Sequence, residues 1–181
     1  KNAYDKSAMA SLTKIMTSIL LCEHCKIDEL IEVPAEATWI GGSEVGLKKG
    51  DMVKAEDLLY SMMLPSGNDA AYTAGLHIGG TVDNFAKMMT NKAKEIGAYN
   101  TSFANPHGLD NENHYSTAYD MALITRYALK NKYINEAVGT KVKNVNLGSY
   151  SKTLTNTNRL LRQYSEIDGV KTGFTNSANR C

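Results

Sequence analysis

Met9-Ala10-Ser11-Leu12-Thr13-Lys14-Ile15-Met16-Thr17-Ser18-Ile19-Leu20 is the stretch on which the reading of this chain turns. Leu12, Ile15, Met16, Ile19 and Leu20 recur at helical spacing, so residues 11 to about 24 read as a helix with one buried stripe. Ser11 opens that helix, and Lys14 follows three residues later, which puts both side chains on one face, a turn apart. A serine at a helix N-terminus meets a positive dipole end and free backbone N–H groups. Its hydroxyl becomes a nucleophile only when a base takes its proton. A lysine can be that base only if burial or a second cation depresses its pKa.

Two further segments supply the rest of an acyl-transfer site that works without histidine or metal. Ser66-Gly67-Asn68 stands between Pro65 and the next helical pattern. Gly67 permits a tight turn that exposes two polar side chains, a hydroxyl that can relay a proton and an amide that can donate and accept. Lys171-Thr172-Gly173 falls where the pattern predicts a strand. Lys171 offers the second cation, Lys171 and Thr172 suit a substrate carboxylate, and Gly173 lets a ligand backbone lie close.

Each segment alone has a plain structural explanation: a solvated helix lysine, a capping turn, an edge strand. A chain of this length holds about one Ser-x-x-Lys by chance, and Ser149-Tyr150-Ser151-Lys152 is a second copy. All three segments in order are an accident on the order of one in a thousand. Helical context selects Ser11, because Ser149 lies in a Gly-, Ser-, Thr- and Asn-rich stretch that reads as a solvated strand or turn.

The 181 residues are 43% hydrophobic, enough to bury the core of one domain. A net charge of +1 without a block of Lys or Arg argues against nucleic acid and anionic membranes as partners. No apolar run reaches the length of a membrane span, and Lys1-Asn2-Ala3-Tyr4-Asp5-Lys6 lacks the apolar core of a signal peptide. Three cysteines cannot pair into a disulfide framework. Cys22-Glu23-His24-Cys25 sits toward the wrong helix pole for a redox pair. As a zinc site it lacks a partner cluster, with only Cys181 and scattered histidines left. Structural cysteines, and no metal or cofactor, are the expectation.

Further along, helices are predicted over about 54–64, stopped by Pro65, and over 69–77. Another runs from Val82 to Ile96, closed by Gly97, and one is capped by Thr117 and continues to Ala128. Short strands and turns are predicted over 27–53, and strands after about Gly139. Met62-Met63 and Met88-Met89 read as core packing. A Ser-His-Asp triad using His107 and Asp110 ranks low, because it leaves the three ordered segments unexplained.

The set Ser-x-x-Lys, Ser-x-Asn and Lys-Thr-Gly resembles that of penicillin-binding proteins and class A β-lactamases. The chain looks most like a D-alanyl-D-alanine carboxypeptidase, the low-molecular-mass penicillin-binding protein type. The likeness extends to Gly46-Leu47-Lys48-Lys49-Gly50-Asp51, Leu58-Leu59-Tyr60, Ser66-Gly67-Asn68-Asp69-Ala70-Ala71, His107-Gly108-Leu109-Asp110, His114-Tyr115-Ser116-Thr117 and Asp168 to Thr175.

What the resemblance implies is an α/β fold of the β-lactamase/DD-peptidase kind, a helical cluster packed on an antiparallel sheet. Family domains carry strands before the position of Lys1 and after that of Cys181, so residues 1–181 are expected to be a partial catalytic domain. Ser11 would be the nucleophile, Lys14 its base, and Ser66 with Lys171 the proton relay to the leaving amine. Asn68, Lys171, Thr172, Gly173 and Phe174 would bind substrate, the N–H groups of Ser11 and Phe174 forming an oxyanion hole. The implied partners are peptidoglycan stem peptides and β-lactams, at an extracytoplasmic site, with membrane anchoring of a longer protein. A class A β-lactamase is the first alternative, but its deacylating Glu-x-x-Leu-Asn segment is not found and Gly67 departs from its Ser-Asp-Asn. A non-catalytic penicillin- or peptidoglycan-binding fragment is the second.

Overall fold

The computed structural model describes residues 2–180, so Lys1 and Cys181, the latter weighed above as a metal-cluster partner, lie outside the described residues. One helix organises the rest. A 3-10 turn, Ala10–Leu12, leads into α1, Thr13–His24. Residues 13–21 of α1 are all buried, not a single stripe of them, and Lys14 is among the largest fully buried side chains. The wider burial has a topological cause. α1 is packed by α2 (Ala55–Met63), α3 (Asn68–Gly79), α4 (Val82–Ile96), α5 (Ala118–Ala128) and α6 (Lys132–Gly139), so it has no solvent face over that span. Within it, Thr17 Oγ1 donates to Pro106 O at 2.6 Å.

Local chemistry sets the ends of the surrounding helices. Thr81 and Thr117 cap α4 and α5 by accepting from Asn84 N and Asp120 N. Gly97 closes α4 in the left-handed region. α2 ends at Met63, ahead of Pro65. The sequence pattern passes over α6, although Asn131 caps it by accepting from Tyr133 N and Ile134 N and its Ile134, Ala137 and Val138 are buried. Met62, Met63 and Met89 lie in the core as expected.

The strands are short and wholly antiparallel. β1 (Leu30–Glu32) pairs with β2 (Met52–Lys54), and β3 (Val142–Asn146) forms a hairpin with β4 (Ser151–Thr155). After a short helix, Leu160–Gln163, β5 (Phe174–Thr175) pairs with β6 (Asn179–Arg180). Among the described residues these three pairs do not join into one sheet. Lys171-Thr172-Gly173 therefore corrects the strand expectation: it is an unpaired segment leading into β5, because the ladder begins only at Phe174.

Ser149-Tyr150-Ser151-Lys152, the second Ser-x-x-Lys, is a turn and strand start rather than a helix. It serves as a clamp. Tyr150 Oη donates to Val45 O and Gly46 O at 3.0 and 2.8 Å, and Lys152 Nζ donates to Val45 O at 2.7 Å. Ser149 Oγ is taken up by Asp51 at 2.9 Å.

Candidate active site

The amine of Lys14 is completely enclosed and has three neighbours. It lies 2.7 Å from Asn68 Oδ1, 2.7 Å from His107 O and 3.1 Å from Ser11 Oγ. The first two are pure acceptors and must each receive an N–H. In the neutral amine two protons satisfy them, and the lone pair is left facing the Ser11 hydroxyl. Burial pushes the Lys14 pKa well below its ordinary value, and the charge of Lys171 pushes the same way, while Asp69 opposes. The geometry and the electrostatics therefore agree on a lysine fit to accept a proton from Ser11.

Asn68 is the first residue of α3 and is held on three sides. Its Oδ1 receives Lys14, its Nδ2 donates to Gly41 O at 2.7 Å, and its N–H donates to Ser43 O at 2.6 Å. The amide thus spends its acceptor on Lys14. Beside it, the Asp69 carboxylate accepts from the N–H groups of Val45, Gly46 and Leu47 at 2.8–3.1 Å and so gathers the 41–47 loop over α3. Tyr150 and Lys152 hold the same loop from outside. Ser66, at φ 70, sits in the left-handed region, and among the described residues its buried Oγ has no hydrogen-bond partner. A non-glycine residue in that region with an unsatisfied hydroxyl is a costly local state of the kind that clusters at active sites.

Two buried histidines support the Ser11 turn from behind. Ala104 N donates to His114 Nδ1 at 3.0 Å, so the neutral ring carries its proton on Nε2. That nitrogen meets Thr13 Oγ1 at 2.6 Å, and Thr13 in turn donates to Ala10 O at 2.7 Å. Ala10 itself is at φ 46, and Gly108 lies against its carbonyl so closely that a Cβ could not be placed there. Burial brings the His107 pKa down to about 3, with a smaller push from Lys14 whenever that amine is protonated; burial likewise brings His114 to about 4. Asp110 accepts from Thr175 Oγ1 at 2.7 Å and His107 Nδ1 accepts from Leu109 N at 3.2 Å, so no Ser-His-Asp relay is assembled.

Ser11, Ser66, Thr172, Gly173 and Phe174 line one open cleft of about 560 Å³, together with Ser43 and the Thr157–Leu160 segment. Gly173 packs on the nucleophile's turn: a Cβ there would stand 3.1 Å from Ser11 N and from Ala10 Cβ. Its smallness is thus used by the protein's own backbone at the Ser11 turn. Thr157 Oγ1 donates to Leu64 O at 3.2 Å and meets Thr172 Oγ1 at 2.9 Å, so the Thr172 proton points to Thr157.

Lys171 is buried, its Nζ donates to Thr172 O at 3.0 Å, and it stands near enough to Lys14 for its charge to act on that amine. Burial lowers its pKa to about 8.

Sequence reasoning missed Thr13, Thr157, Gly108 and the second role of the 149–152 segment, and it gave the histidines no common place. The His107-Gly108-Leu109-Asp110 and His114-Tyr115-Ser116-Thr117 stretches quoted for the resemblance were the signals that pointed toward that part of the site.

A helix cluster edged by short antiparallel strands, with a serine on a buried lysine at the head of its central helix, defines the β-lactamase/DD-peptidase fold class. Within that class, a family model described as D-alanyl-D-alanine carboxypeptidase matches residues 1–181, and the chain belongs to that family. It is 40% identical over 187 residues to the D-alanyl-D-alanine carboxypeptidase DacF of Bacillus subtilis, covering 100% of this chain and 48% of that protein. It is 36% identical to DacC of Escherichia coli, covering 98% of this chain and 46% of that one. The chain thus spans about half the length of these curated relatives. The crystal structure of the Streptomyces K15 DD-transpeptidase superposes with a TM-score of 0.92 at 32% identity, over 100% of this chain and 76% of that one. The D-alanyl-D-alanine carboxypeptidase DacD from Francisella tularensis superposes with a TM-score of 0.90 at 32% identity, over 100% and 57%.

Proposed function

We propose that this chain carries the catalytic centre of a serine D-Ala-D-Ala carboxypeptidase acting on peptidoglycan stem peptides. The observation that carries the proposal is the enclosed Lys14 amine, 3.1 Å from Ser11 Oγ, with its protonated form disfavoured by burial.

Ser11 Oγ attacks the carbonyl between the two D-alanines as Lys14 takes its proton. The N–H groups of Ser11 and Phe174 receive the oxyanion. Ser66 passes a proton to the leaving nitrogen, and its orphaned hydroxyl finds its partner there. The terminal D-alanine departs, leaving its partner residue esterified to Ser11, and water hydrolyses the ester. Thr172 breaks its bond to Thr157 to bind the terminal carboxylate, while Lys171 contributes positive potential from beside the cleft. Asn68 acts chiefly by aiming Lys14. β-Lactams acylate the same oxygen and hydrolyse slowly.

Such a substrate places the protein on the outer side of the cytoplasmic membrane. Among the described residues no helix is long and apolar enough to cross a membrane. The test is release of D-alanine from a peptide ending in D-Ala-D-Ala. The chain releases it, and Ser11→Ala does not; equal release by both would remove the proposal.

A further inference from the structure

Cys25 follows the last residue of α1, and its N–H donates to Leu21 O at 3.0 Å, so its position is fixed by the helix end. The loop after it is also pinned: Glu29 N donates to Lys26 O, Glu56 N to Ile27 O and Ala55 N to Glu29 O, at 2.8–3.0 Å. Glu29 Oε2 accepts from Lys26 N at 3.1 Å, which leaves Oε1 to meet His77 Nε2 at 3.0 Å. His77 comes from the last turn of α3. The fold thus supplies the partner cluster whose absence from the local sequence argued against a metal at Cys22-Glu23-His24-Cys25.

We infer that Cys25, Glu29 and His77 form a binding site for a zinc-class divalent cation. One ligand atom from each lies within 4.8 Å of the other two. Tetrahedral zinc with sulfur, nitrogen and oxygen ligands needs separations of about 3.3–3.8 Å, a contraction of about 1 Å that side-chain rotation on fixed backbones can supply. A thiolate, an imidazole and a carboxylate are a borderline-soft donor set that suits zinc over magnesium or calcium. On binding, the Cys25 S–H bond is replaced by a sulfur–metal bond and the proton leaves to solvent. Water completes the fourth position.

The placement indicates a structural part. α1 begins beside Ser11 and Lys14, and α3 begins at Asn68; the site joins the far ends of the same two helices. Twelve residues of helix put it about 18 Å from the catalytic groups. The ion would staple the two helices without touching substrate, and this inference stands independently of the proposed activity.

The experiment is titration of the reduced full chain with Co²⁺, then displacement by Zn²⁺, with thermal unfolding followed in parallel. The site predicts one equivalent bound, a thiolate-to-cobalt charge-transfer band, and a higher unfolding midpoint with Zn²⁺. Cys25→Ser and His77→Ala each weaken binding at least about tenfold. Cys22→Ser and Ser11→Ala bind as the parent does. The inference is overturned by absence of the thiolate band, by undiminished binding in Cys25→Ser, or by loss in Cys22→Ser with retention in His77→Ala.

Discussion

Lys14 Nζ donates to Asn68 Oδ1 at 2.7 Å, so the first turn of α1 and the first residue of α3 meet on one amine. Asn68 and His107 fix two directions around that nitrogen, and Ser11 occupies a third. The proposed reaction depends on the neutral amine. Burial first, and the Lys171 charge second, favour that form. Acylation should therefore rise with pH and level off well below the ordinary lysine range. Lys171→Met removes the second cation, raises the Lys14 pKa, and moves the rise to more alkaline pH. Asn68→Ala slows acylation about 100-fold by loosening the aim of the amine, without that alkaline shift. Second-order acylation constants by a labelled penicillin across pH separate the two effects.

Gly108 is the second point of control. It sits at φ +97 with its backbone against the Ala10 carbonyl, and Thr13 Oγ1 lies close as well. Gly108→Ala forces that carbonyl, and the turn that carries Ser11, to move. The expected cost exceeds about 2 kcal/mol in urea unfolding, accompanied by loss of acylation. Gly80, at φ +70 with open space around it, provides the control. Gly80→Ala should cost about 1 kcal/mol and leave acylation unchanged.

The buried histidines make stability depend on pH. The unfolded chain protonates both near pH 6.5, whereas burial delays protonation of the folded chain to about 4 at His114 and about 3 at His107. Over that interval the unfolded state binds more protons, so stability falls as pH falls. Each group contributes about 1.4 kcal/mol per pH unit within its own window. His114→Gln should flatten this limb of a stability–pH curve measured by urea unfolding, even if it lowers stability near neutrality by disturbing Thr13. An unchanged slope would remove His114 from the account.

Much of this arrangement was legible in local pattern, and the reasons for the exceptions are physical. α4 announces itself through a buried face of Phe85, Ala86, Met89 and Ala93 and through Gly97, all signals within one helix length. Ser11 and Lys14 are neighbours on one turn, so their pairing follows from spacing alone. The short α6 escaped because its signals span only eight residues after a longer helix. The strand expected at Lys171-Thr172-Gly173 is absent because the ladder begins only at Phe174. The Thr13–His114 and Asn68–Gly41 bonds join residues 101 and 27 positions apart, beyond any periodicity. Cys25 looked isolated for the same reason, since His77 reaches Glu29 beside it from another helix.

The claim on which the account rests is that Ser11, and not the serine of the second Ser-x-x-Lys, is the acylated residue. Mass spectrometry of peptides from the penicillin-treated chain tests it directly. The account predicts a single adduct on the peptide containing Ser11, absent in Ser11→Ala and retained in Ser149→Ala. An adduct on Ser149, or one that persists in Ser11→Ala, would contradict it.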